Sequence, residues 1–85
     1  MKVLHIIRSN DDQLARRIIE DMENLNHSDH ALLMIQDGVY MRPGTLRAFA
    51  CAEDVRARGI ETNLELVEYD RIVELIFEYD KVITW

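Results

Sequence analysis

Cysteine is nearly absent from this sequence: Cys51 stands alone. A single thiol cannot close an internal disulfide, and it suits a reducing compartment. With His5, His27 and His30 it forms no ligand set of zinc-like spacing, so neither a metal nor a cofactor is expected. Proline occurs only at Pro43, and glycine only at Gly38, Gly44 and Gly59. No linker, internal repeat or low-complexity stretch is visible. No run approaches the ~20 apolar residues of a membrane span. The opening Met1–Ile7 is too short, and too soon interrupted by Arg8 and Asp11, for a signal peptide. A soluble, cytoplasmic protein without membrane contact is expected.

Positive charge is scarce as well. Net charge is −6, and its distribution is uneven. Residues 1–49 hold seven acids and six bases, whereas residues 50–85 hold nine acids and four bases. A tRNA or duplex binder gathers Lys and Arg on one face, because phosphate neutralisation dominates affinity. Here Arg16, Arg17, Arg42, Arg47, Arg56 and Arg58 are each diluted by acids, which argues against direct nucleic-acid binding.

What remains is an aliphatic-rich chain of 85 residues, 48% apolar, read as one domain over 1–85. A chain of this size buries only ~60% of its unfolded surface. Disulfides, metals or partner subunits usually add the missing stability. With the first two excluded, partner subunits are expected.

Val3–Ile7 reads as a buried strand containing His5, and Asp12 with Gln13 are placed to cap a helix behind it. Leu14, Ile18, Met22 and Leu25, widened by Ala15 and Ile19, make one apolar side of that helix. A polar break covers Asn24 to Asp29. Ala31–Ile35 is apolar without alternation, as in a parallel strand covered on both faces. Asp37-Gly38 ends it, and a right-handed βαβ unit results. Residues 45–58 admit two readings: a helix capped by Thr45, or a strand over 46–51 and then a short helix closed by Gly59. Asn63–Tyr69 reads as a strand, Asp70 as a helix cap, and Ile72, Val73, Ile76 and Phe77 as a buried helical side. Val82–Trp85 is β-prone and holds the only tryptophan. The class is α/β, with a mainly parallel sheet and helices on both faces.

Four pieces, in matching order and spacing, carry a family resemblance: Val3-Leu4-His5-Ile6-Ile7, Ile35-Gln36-Asp37-Gly38-Val39-Tyr40, Glu53-Asp54-Val55-Arg56-Ala57-Arg58-Gly59, and Asp80-Lys81-Val82-Ile83-Thr84-Trp85. Together they resemble the TusB/DsrH family. The resemblance implies a small flavodoxin-like (DsrEFH-like) sheet, and it assigns 46–50 as a strand by analogy. It also implies a non-catalytic subunit of a sulfur-relay complex. Its partners would be TusC/DsrF-like and TusD/DsrE-like paralogues in a hetero-oligomer. That complex passes persulfide sulfur toward 2-thiouridine at the tRNA wobble position, or in sulfur oxidisers serves dissimilatory sulfur metabolism. A stand-alone homo-oligomeric interaction or regulatory protein is the alternative from another class. Two departures stand out: the Tyr40–Thr45 region is short, and no cysteine occurs in the first half of the chain.

Sulfur relay needs an accessible thiolate of lowered pKa. Cys51 lies where a strand should meet a helix, so it is the one candidate persulfide carrier. Glu53 and Asp54 oppose a thiolate there, and Ala50 and Ala52 favour a structural role. Asp37 and Gly38 come just after a strand, where α/β sheets place their sites. The plainer reading is a turn in which Gly38 supplies positive φ and Asp37 bonds nearby backbone. His5, Asp37, Gly38 and Trp85 are the interface or crevice candidates, with His5 more readily a core histidine than a base. A receiver-like Mg²⁺ site would need Asp11, Asp12 and Asp37 together with a lysine, and only Lys81 is placed late enough.

Overall fold

The computed structural model describes residues 1–11, 13–26 and 29–85. In chain order it forms β1 (Lys2–Ile7), α1 (Gln13–Asn26), β2 (Asp29–Met34), a 3-10 helix (Gln36–Tyr40), β3 (Arg47–Cys51), α2 (Ala52–Arg58), β4 (Glu65–Val67), α3 (Tyr69–Glu78) and β5 (Lys81–Thr84). All pairings are parallel, in the order β4-β3-β2-β1-β5. The expected α/β class holds, and the sheet is parallel throughout. The stretch open between helix and strand is strand, then helix.

Register explains the composition. His5 lies opposite Leu32 and Ile7 opposite Met34, so these residues share one face. On that face Ile7, Leu32, Met34 and Ala50 pack with Ile19 of α1, Val55 of α2, and Val39, Met41 and Leu46. The other face carries Leu4, Ala31, Leu33, Phe49 and Val67 under Leu75 of α3. Helices therefore cover both faces, and every residue of Ala31–Met34 is buried, as its unbroken apolar run demands. Fully burying a side chain such as Phe49 contributes ~1.5–3 kcal/mol.

The helices are rotated relative to the simplest reading of their periodicity. In α1, Ala15 and Ile19 are buried, whereas Leu14 is 70% exposed and Ile18 is also exposed. The side through 15 and 19 puts a small residue next to the sheet and lets the helix lie close. In α3 the anchors are Leu75 and Ile72; Ile76 and Phe77 are exposed and Val73 only half-buried. The strand expected over Asn63–Tyr69 contracts to Glu65–Val67, and α3 starts at Tyr69 with Glu68 at the cap position. Asp70 is thus inside the first turn rather than the cap, where its charge still favours the positive helix end. Gly59 does end α2 in the left-handed region (φ 61°), its N–H bonding Arg56 O while Ile60 N–H bonds Val55 O. The cap read for Asp12 lies outside the described residues, and so does the middle of the expected break, His27 and Ser28. No helix among the described residues is long and apolar enough to cross a membrane.

Candidate functional site

Two constellations hold the residues singled out from the sequence. The first sits at the C-terminal ends of β2 and β3. The Asp37 carboxylate accepts from Arg58 Nε at 3.1 Å and lies 3.0 Å from Arg58 Nη2. Arg58 Nη1 reaches back to the Asp54 carbonyl at 3.2 Å and to its carboxylate at 3.4 Å. The other Asp54 oxygen accepts the Gln36 N–H at 2.8 Å. That bond holds the Asp54 carboxyl below the usual range; burial opposes it, and the Cys51 thiol and Arg58 reinforce it. Asp37 therefore grips an arginine of α2, not neighbouring backbone.

Gly38 does not supply positive φ; Gln36 does (φ 51°), a strained setting for a side-chain-bearing residue. Gly38 is needed for space instead, because a Cβ there would overlap the Ile7 carbonyl. The 3-10 turn lies flat on the end of β1, with Ile35 N–H bonding Ile7 O at 2.9 Å and Gly38 N–H bonding Ile35 O at 2.8 Å.

Cys51 is half-buried at the end of β3. Burial pushes its thiol up. A bond from the Asp54 main-chain N–H acts against this, and the Asp54 carboxylate, which accepts a hydrogen bond from the thiol S–H and repels a thiolate, adds to it. This is the reverse of an activated sulfur.

The second constellation lies inside the sheet. His5 is fully buried and His30 nearly so. Trp85 Nε1–H donates to His5 Nδ1 at 3.0 Å, and His5 Nε2 lies 2.9 Å from His30 Nδ1. An indole can only donate, so His5 carries its proton on Nε2 and gives it to His30. His30 in turn holds its proton on its own Nε2. Burial, and then the neighbouring His30, hold the His5 pKa down to about 4. His5 is thus neutral at pH 7 and both its ring nitrogens are engaged. Trp85 is tied three ways, since its main-chain N–H donates to Ile6 O at 3.0 Å and its main-chain carbonyl accepts from Arg8 Nε at 3.1 Å.

The fold therefore joins His5 with Trp85, and Gly38 with the end of β1, but sets Asp37 in a separate ionic cluster. The receiver-like arrangement is not assembled. Lys81 opens β5 opposite Val3, whereas Asp37 lies beyond the far end of β2, so the parallel sheet separates them. Sequence reasoning set Asp54 against a Cys51 thiolate, as the structure does, but missed its bond to Gln36 N–H and the places of His30 and Arg58. The β1–β2 register sets His30 opposite Val3 and on the same face as His5. Among the described residues no group of three or more His, Cys, Asp or Glu could hold a metal. A depression of about 490 Å³ opens at the opposite end of the sheet, between Lys2, Asp29, Arg47 and Tyr79. A smaller one, about 290 Å³, adjoins Tyr40–Pro43 and Ile60–Leu64. His30 lines the larger one, but neither is lined by His5, Asp37, Gly38, Cys51 or Trp85. The Asp54 carboxylate beside Cys51 keeps the thiol protonated rather than activating it, and the other polar bonds of both constellations tie strand ends and turns together.

Comparison with known proteins agrees with this picture. The crystal structure of the ychN protein from E. coli matches with a TM-score of 0.73 at 19% identity, covering 100% of both chains, a likeness of fold. No match was found among curated proteins. A family model described as DsrH like protein matches residues 13–82, a stretch that includes the 35–40 and 53–59 pieces. The chain belongs to the DsrH-like family.

Proposed function

We propose that this chain is a non-catalytic, cytoplasmic subunit of a sulfur-relay complex that supports 2-thiouridine formation at the tRNA wobble position. Membership of the DsrH-like family supports a sulfur-relay role. The observation that carries the non-catalytic assignment is the state of Cys51. The sole sulfur nucleophile is half-buried, protonated and faced by the Asp54 carboxylate. A persulfide carrier needs the opposite on each count. The partners of this reading are the TusC/DsrF-like and TusD/DsrE-like paralogues, one of which brings the reactive cysteine. His5, Asp37, Gly38 and Trp85 then serve to fix the shape of the subunit and the surface around the ends of its strands. Nucleic acid is left to another subunit, consistent with the acidic C-terminal half.

The test is to mix the three purified chains and measure mass by light scattering, and then to measure sulfur transfer to tRNA with and without this chain. Assembly of all three, with transfer dependent on this chain, is the expected result. A chain that stays a separate monomer at both low and physiological salt would overturn the assignment, and a mass change without the paralogues would favour a stand-alone homo-oligomer.

A further inference from the structure

The apolar side of α3 that the fold leaves uncovered has more order than scattered surface residues. Tyr69 is 80% exposed and Phe77 84%, with Ile76 at 38% and Val73 half-buried between them. Positions 69, 73, 76 and 77 fall on one arc of a helix. Ile72 and Leu75, on the neighbouring arc, already fasten α3 to the sheet, so the exposed arc is not spent on the fold. Two nearly bare aromatic rings on one helix side are what interface cores are enriched in. The exposed pair on α1, Leu14 and Ile18, lies beside Arg17 and Asp21 and has no aromatic member.

The next arc of α3 carries Asp70, Glu74 and Glu78, spaced four apart. Arg71 is engaged with Glu74 at 3.7 Å and Glu78 at 2.8 Å, and it leaves the row net negative. An apolar strip edged by a row of carboxylates specifies its complement. A second copy does not provide it. With α3 helices antiparallel across a two-fold axis, the acidic rows would face each other. With helices parallel, each row would lie over the side where Ile72 meets the sheet. Neither arrangement offers the three carboxylates a matching row of cations.

We propose that Tyr69, Val73, Ile76 and Phe77 form a docking face for a different subunit, one that presents an apolar surface bordered by lysine or arginine. The inference rests on the sulfur-relay reading and deepens it by naming the face that meets a paralogous partner. The aromatic rings supply affinity, and the acidic row sets orientation and speeds encounter.

The experiment uses the full chain and the two paralogues, comparing wild type with Phe77→Glu, Leu14→Glu and the pair Asp70→Lys with Glu74→Lys. Thermal melting first checks that each variant is folded, which the exposure of these side chains favours. Phe77→Glu should weaken assembly about tenfold or more, and Leu14→Glu should not. The charge-reversed pair should associate about tenfold more slowly at low salt, with the gap closing as salt rises. If wild type and Phe77→Glu assemble alike, the docking face is wrong and the relay reading stands. If wild type joins no mixture, both fall. If this chain alone doubles its mass through Phe77, the occupant is a second copy and the proposed partner is wrong.

Discussion

Acid should weaken this fold through a buried histidine, and the size of that contribution is set by its surroundings. His5 sits fully buried between an indole that donates to it and an imidazole that accepts from it. Its pKa falls from 6.5 to about 4 on folding. Above pH 6.5 the ring is neutral in both states and contributes no pH dependence. Below that value the unfolded chain takes up a proton that the folded chain refuses, so stability declines until pH 4 and then levels off. At 1.36 kcal/mol per unit the decline amounts to about 3 kcal/mol. A domain of this length has only about 4–13 kcal/mol in total, so the loss is a large share. His5→Gln is the informative variant, because an amide still accepts from Trp85 and donates to His30 but does not titrate. Urea unfolding monitored by far-ultraviolet circular dichroism, at steps from pH 7.5 to 4, should show wild type losing about 3 kcal/mol more than His5→Gln. Carboxylates such as Asp54 act in both proteins and cancel in the difference. Two curves that fall in parallel would refute the reasoning.

Three further outcomes are expected. Trp85→Phe keeps most of the packing but strands the His5 acceptor, which should cost about 1–3 kcal/mol and show as a drop in melting temperature; an unchanged melt contradicts the bond. Gly38→Ala, which forces a methyl group onto the Ile7 carbonyl, should destabilise by about 1–3 kcal/mol or more, measured by denaturant midpoint. Cys51→Ser should leave sulfur transfer of the reconstituted complex near wild type, and the native thiol should react with a disulfide reagent more slowly than free cysteine at pH 8; abolished transfer with assembly intact would reverse the non-catalytic assignment.

Strands and their parallel class were legible in the sequence wherever a residue run had to satisfy two faces at once. The unbroken apolar run Ala31–Ile35 fitted a doubly covered strand, and Gly59 marked the end of α2 by its freedom in the left-handed region. Helix rotation was not legible. In α1 both Leu14/Ile18 and Ala15/Ile19 fit a helical period, and only packing against β2 decides which pair turns inward. The same holds for α3, where Phe77 reads as core by spacing but is bare. The role of Gly38 escaped for a related reason, since a close approach to β1 is a tertiary fact while positive φ is a local one. Among site residues His5 and Trp85 stood out by type, but their connection through His30 depended on a register that the sequence does not spell out.

The pairing of β5 with β1 joins residues that are far apart in synthesis: Asp80 N–H meets Lys2 O at 2.9 Å, and Val3 lies opposite Lys81. In the order of translation β1 is made first and its outer neighbour last of the five strands. Until residues 81–85 clear the ribosome, β1 presents an open row of backbone donors and acceptors, with Val3 and Leu4 beside it. Such an edge is where nascent chains pair wrongly. The indole of Trp85, bonded to the His5 ring, adds a side-chain tie to the backbone pairing that closes this edge. The late closure also sets a floor on folding time, because a contact spanning nearly the whole chain must form before the sheet is complete.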